Sequence, residues 1–140
     1  MSDFQLHAQL AADSLPVCDL ALSTVRLVND SHYPWLLLVP RLPGLVDLVD
    51  LRPGDRMALM EEIGQACDAL KALRPCDKLN VASLGNQVPQ LHVHVIARRT
   101  DDAAWPKPVW GAAEPTPYAA DEAEQLSARL AGHLLQAGAG

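Results

Sequence analysis

Excess basic charge is the first thing this chain lacks. Eleven Lys and Arg stand against seventeen Asp and Glu in 140 residues, a formal net charge of −6. A protein that tracks a phosphate backbone needs a basic surface, so the balance argues against nucleic acid as a general partner. It leaves room for a small anion held by a few local donors. Cysteine is scarce as well: Cys18, Cys67 and Cys76 are odd in number and no two stand at metal-ligand spacing. They read as free thiols in a reducing compartment. The first ten residues carry Asp3 and His7 and no apolar stretch of signal-peptide type. The longest apolar run, about Trp35 to Val39, is far too short to cross a bilayer. The expectation is a cytoplasmic protein with no membrane partner.

What is present suffices for a core. Apolar residues make up 49% of the chain and charged residues 20%, a composition that argues against long disorder. There is no internal repeat and no sign of a second domain, so residues 1–140 read as one domain. Residues 3–12 suggest a short helix with Leu6 and Leu10 one turn apart. Residues 21–29 alternate, Leu22, Thr24, Arg26 and Val28 against Ser23, Val25 and Leu27, as a strand does. Asp30, Ser31 and Pro34 mark a turn. The run from Trp35 to Pro40 has strand length and no polar face, so both of its faces should be covered. Pro53 suits a first helical position, and acids follow it early. Met60, Ile63, Cys67 and Leu70 then recur at helical steps until the chain reaches Pro75. Met57 and Met60 are expected in the core. Residues 78–83 and 90–97 read as strands around a turn at Gly85-Asn86. Four prolines make residues 100–117 a loop, and Leu126, Leu130 and Leu134 place a last helix at about 118–136.

The chemistry concentrates in Gln90-Leu91-His92-Val93-His94-Val95-Ile96. Alternation sends Leu91, Val93 and Val95 to one side and Gln90, His92 and His94 to the other. A polar row on an otherwise apolar strand is costly unless it meets a cleft or satisfied partners. Neutral imidazole is a good nucleophile near pH 7, provided its second nitrogen is fixed as N–H by an acceptor. The same pair also suits half of a transition-metal site or a structural role, and no third ligand is evident, since His7, His32 and His133 are scattered. Arg98 and Arg99, just after the row, read as solvated surface charge or as an attraction for polyphosphate. Trp105 and Trp110 read as closing a site or a dimer seam, or as anchors for their loop.

Taken together, these segments resemble the histidine-triad (HIT) superfamily. His92-Val93-His94-Val95-Ile96 matches its alternating histidine signature, with Gln90 at the position of the first histidine. Leu27-Val28-Asn29, Leu36-Leu37-Leu38-Val39-Pro40, Leu51-Arg52-Pro53 and Gly85-Asn86-Gln87-Val88 match further segments in register, over about residues 21–99. Trp105-Pro106-Lys107-Pro108-Val109-Trp110 resembles the tail of a bacterial subgroup.

The resemblance implies an α+β fold: an antiparallel sheet of about five strands, one long helix and a C-terminal helix. It implies a homodimer that binds a small-molecule nucleotide and hydrolyses or transfers at the α-phosphate, with no cofactor and no metal. Conjugates such as dinucleoside polyphosphates and nucleoside phosphoramidates are the implied substrates. In that family the middle residue of the triad becomes nucleotidylated, a role that falls to His92. His94 then orients or binds phosphate, and the backbone carbonyl of Gln90 fixes a tautomer. The implied nucleotide contacts are Asn29, Asn86, Gln87 and Val88. Two departures stand out. Gln90 cannot become cationic, though it can still steady a phosphate. Trp35 takes the place of a supporting histidine and is expected to pack or stack. The alternatives are a nucleotide-binding or sensing protein with little turnover, and a metal-binding protein using His92 and His94.

Overall fold

The computed structural model describes residues 3–139. Five strands form one antiparallel sheet in the order β1-β2-β3-β5-β4. They are β1 (Ser14–Asp19), β2 (Ser23–Val28), β3 (Trp35–Pro40), β4 (Lys78–Ala82) and β5 (Val93–Arg98). The helices are α1 (Ala8–Ala12), α2 (Pro53–Leu73) and α3 (Ala120–Ala139), with a 3₁₀ turn at Leu48–Asp50 before α2. This is the mixed α+β architecture that the resemblance implies.

Alternation in β2 sends Ser23, Val25 and Leu27 inward. The uniform apolar run becomes β3, which is buried on both faces and flanked by β2 and β5. One side of the sheet packs under α2 and α3. There Val25, Leu27, Leu36, Leu38, Val93, Val95 and Ala97 meet Leu59, Ile63, Ala66 and Leu70 of α2 and Leu130 and Leu134 of α3. No helix covers the other side to the same extent. The segment around α1 and the proline- and tryptophan-rich loop flank it instead, and the histidines lie there.

Several sequence expectations need correction. Met57 and Met60 are not core residues: they are 73% and 66% exposed. The buried stripe of α2 is Leu59, Ile63, Ala66 and Leu70, turned away from the methionines, with Ala66 and Ala69 allowing close approach to the sheet. Glu62 lies on that buried side because its carboxylate accepts the backbone N–H groups of Leu22 and Ser23 at 2.8 and 3.0 Å. The first helix covers only Ala8–Ala12, since residues before it bond to Gln90 rather than to a helical turn. Strand β1 was not anticipated. Pro16 suits an edge strand, where a missing N–H is tolerated, and a bulge lies between Pro16 and Cys18. Strand β5 begins at Val93, so Gln90 and His92 precede the ladder.

Candidate active site

The register of β3 on β5 pairs Leu37 with His94 and Trp35 with Ile96. Leu91, Val93 and Val95 join the helix-covered core. His92 and His94 turn to the opposite side, their ring centroids 5.0 Å apart, and only 6% and 8% of their surfaces are exposed.

Burying two imidazoles demands partners for them. His92 Nδ1 lies 2.7 Å from the Gln90 carbonyl oxygen. A carbonyl only accepts, so Nδ1 carries a proton, and in the neutral ring the lone pair is on Nε2. His94 has the opposite tautomer. Its Nδ1 accepts the indole N–H of Trp35 at 3.0 Å, which leaves the proton on Nε2. Burial, with a smaller contribution from neighbouring His92, lowers the pKa of His94 to about 4. His94 is therefore a neutral N–H donor at physiological pH. Trp35 was expected only to pack or stack; it also donates the bond that sets this tautomer.

Gln90 does not turn its amide toward a phosphate. Its Oε1 accepts the backbone N–H of His7, and its Nε2 donates to the Gln5 carbonyl, both at 2.8 Å. Asn29 follows β2, and its Oδ1 accepts the backbone N–H of Tyr118 at 3.0 Å, as a cap for the approach to α3. Asn86 and Gln87 are exposed in the loop before the row, and Val88 is half-buried against Leu10, Leu37 and Val39. Gly85 shapes that loop with φ of 74°, a region costly for other residues.

Arg98 is neither solvated charge nor a free anion attractor, for it is 2% exposed. Its guanidinium grips Asp102 at 2.7 and 3.1 Å, donates to Asn80 Oδ1 and the Lys107 carbonyl, and lies over the rings of Tyr33 and Trp105. Asp102 also accepts the backbone N–H groups of Arg99, Ala104 and Trp105. Burial pushes the Asp102 carboxyl upward, but Arg98 and these amides outweigh it and hold the pKa at about 2. Arg99 does lie at the surface, paired with Asp101. Anchored in this way, the loop packs Ala104 and Val109 beside Tyr33, Trp35 and Ile96. That brings the Trp110 ring edge-on to His94 at 5.0 Å and to Trp35 at 6.0 Å. The signal for Arg98 was in the sequence: it continues the period-two row of His92, His94 and Ile96, with an acid four residues on.

A cavity of about 550 Å³ lies elsewhere, between the end of α2, α3 and the β2–β3 turn, lined by residues such as Arg74, Tyr118 and Arg129. It holds neither histidine of the row. Among the described residues, no three His, Cys, Asp or Glu side chains group in a way that could hold a metal ion.

The HIT domain family profile matches residues 9–101, which include the whole row. The chain belongs to the HIT family. This HIT protein is similar to a histidine triad protein of Bradyrhizobium japonicum, with 49% identity, 94% of this chain and 98% of that one covered, and a TM-score of 0.91. Histidine triad proteins of Marinobacter aquaeolei and Sinorhizobium meliloti are similar at 41% and 39% identity. These alignments cover 95% and 94% of this chain and 97% of each of those, with TM-scores of 0.91. No curated protein matches it.

Proposed function

We propose that this HIT protein binds a nucleotide conjugate at the His92–His94 pair and cleaves it at the α-phosphate through His92. The observation that carries this reading is the pair of opposite tautomers: a lone pair on His92 Nε2 beside a neutral N–H on His94 Nε2. A nucleophile next to a donor of fixed protonation suits attack on a phosphorus centre, where positioning and electrostatics supply most of the catalysis. The His92 lone pair forms a bond to phosphorus as the bond to the leaving group breaks. The leaving group departs with that electron pair and takes a proton from solvent. His92 is then a cationic nucleotidyl-imidazolium, whose Nδ1–H faces the Gln90 carbonyl. Water attacks the phosphorus, the P–N bond breaks, the electron pair returns to Nε2, and the nucleoside monophosphate leaves as the water's proton passes to solvent and neutral His92 is restored. His94 donates to a phosphate oxygen throughout. Asn86, Gln87 and Val88 are the nearby candidates for further phosphate or leaving-group contacts. Asn29 is the weakest of the nucleotide contacts, its oxygen being committed to Tyr118. A more distant fold relative from Sulfolobus tokodaii, at 13% identity, is described as a hypothetical nucleotide-binding protein.

A second reading, nucleotide binding with little turnover, is favoured by one observation. The Gln90 side chain is spent on the chain's own backbone, so the row offers phosphate two side chains rather than three. Intact-protein mass spectrometry after a non-acidic quench separates the two readings, using a panel of nucleoside phosphoramidates and dinucleoside polyphosphates. A nucleotidyl adduct is expected in the unaltered protein, lost in His92→Ala, and formed more slowly in His94→Ala. An adduct that survives His92→Ala but not His94→Ala would reverse the roles. No adduct and no turnover across the panel would leave the binding reading.

We also propose a homodimer. At about 100° per residue, Met57, Met60 and Gly64 share one flank of α2. The opposite flank faces the β1–β2 turn and α3, as the residues shared by their grooves show. Met57 and Met60 are exposed on the side of α2 away from its buried stripe, and on edge strand β4 Val81 is 47% exposed. Nothing lies within 4 Å of a Cβ added at Gly64. Packing within one chain gives no reason for a helix-interior glycine, which costs about 1 kcal/mol relative to alanine. A second helix approaching closely would supply the reason.

A further inference from the structure

We propose that Gln90 is a positioning residue for His92, and that the N-terminal segment is part of the nucleophile's support. Resting on the reading of His92 as nucleophile, the proposal replaces a phosphate contact with a clamp. Gln90 precedes β5 and takes no part in its ladder with β3 or β4. Its backbone carbonyl must nevertheless be held in place, because that oxygen fixes the proton on His92 Nδ1. The Leu91 N–H of the same peptide bonds to the Leu45 carbonyl at 3.0 Å, and the Gln90 side chain adds a second hold from the other side of the residue.

A trans peptide group points its donor and acceptor to opposite sides, whereas a primary carboxamide presents both on one edge. Here it pairs with the Gln5 carbonyl and the His7 N–H, both at 2.8 Å. The clamped segment is itself seated. Phe4 and Leu6 pack on the Leu10, Leu37 and Val39 cluster, and His7 caps α1 by accepting the Gln9 N–H at 3.0 Å. The line of support thus runs from the apolar cluster through residues 5–7 and the Gln90 amide to the carbonyl on His92. Imidazole at position 90 also has a donor and an acceptor, but they point away from each other across the ring and cannot grip both partners. Glutamate would accept from His7 but could not donate to Gln5.

Two substitutions at His7 isolate the clamp. His7→Pro removes only the N–H donor that Gln90 uses, plus the cap, and the native φ of −57° suits proline. His7→Ala removes the cap but keeps the N–H. Long-range proton–nitrogen spectra of the full-length protein near pH 7 should show His92 as a single Nδ1–H tautomer. Gln90→Ala and His7→Pro should each give a mixture of tautomers, and the double variant no more of it than either alone. His7→Ala, which loses the cap but keeps the N–H, should show clearly less of the mixture than His7→Pro, and Gln90→Glu should fall between the unaltered protein and Gln90→Ala. On an accepted phosphoramidate, kcat should drop about 10- to 100-fold in Gln90→Ala and His7→Pro with KM little changed. Thermal melting confirms that each variant is folded. The proposal is overturned if His92 keeps one tautomer in Gln90→Ala, or if Gln90→Ala raises KM while His7→Pro is silent, which would make Gln90 a ligand. A tautomer shift in a protein with no turnover on any substrate would remove the hydrolase reading and leave the clamp standing.

Discussion

At the scale of single residues, the site turns on which nitrogen carries a proton. A β-strand brings His92 and His94 side by side, but their roles diverge through what each Nδ1 meets, a carbonyl for one and an indole N–H for the other. His94 also links the site to stability. Its pKa falls from 6.5 to about 4 on folding, chiefly through burial. Above pH 6.5 neither the folded nor the unfolded form is protonated, and the group is silent. As pH falls from 6.5 toward 4 the unfolded chain takes up a proton that the folded one refuses, so stability declines with acidity. The most this group can remove is about 3 kcal/mol. Urea denaturation at pH 7 and pH 4.5 should show a smaller loss in His94→Gln, whose amide oxygen can still accept from Trp35 but does not titrate. Equal losses in the two proteins would show that His94 is not the sensor.

At the scale of elements, the loop of residues 99–110 is organised by a buried ion pair rather than by regular structure. Arg98 at the end of β5 and Asp102 beside it have side-chain exposures of 2% and 7%. Removing one member of such a pair leaves the other as an uncompensated buried charge, which is the expensive outcome. Asp102→Ala should therefore destabilise the protein by about 3–5 kcal/mol in chemical denaturation. Loss of the three backbone amide contacts should also release Trp105 and Trp110, reported as a red-shifted tryptophan emission. A cost below about 1 kcal/mol with unchanged emission would mean that apolar contacts at Ala104 and Val109 hold the loop alone. The long helix teaches a related lesson. Its apolar positions fit two neighbouring stripes, and the one carrying small alanines won because it lets the helix lie close on β3 and β5.

For the whole molecule, Met57 and Met60 on α2 and Val81 on edge strand β4 leave large apolar side chains exposed. Exposed apolar side chains mark an interaction site where they join into one patch. If the methionine flank pairs with a second copy across a two-fold axis, each altered residue acts twice. Met60→Asp should then convert a dimer to a monomer in light scattering at micromolar concentration, with the far-ultraviolet spectrum unchanged. A monomeric unaltered protein, or a dimer that survives the substitution, would place the interface elsewhere or remove it.

The sequence by itself determined the elements with strong periodicity: β2, β3, an α2 that stops before Pro75, and α3 around Leu126, Leu130 and Leu134. It also determined that His92 and His94 share a face, because strand alternation is a local rule needing no distant partner. What it could not decide were choices that depend on residues far apart in the chain. The Gln90 amide meets Gln5 and His7 across more than eighty positions, and Trp35 meets His94 across 59. Arg98 is buried only because Tyr33, Asn80 and Asp102 converge on it. Charge and hydropathy assign such groups to the surface or to a ligand. Tertiary packing decides otherwise, because a buried polar group takes whichever partners the fold brings within reach.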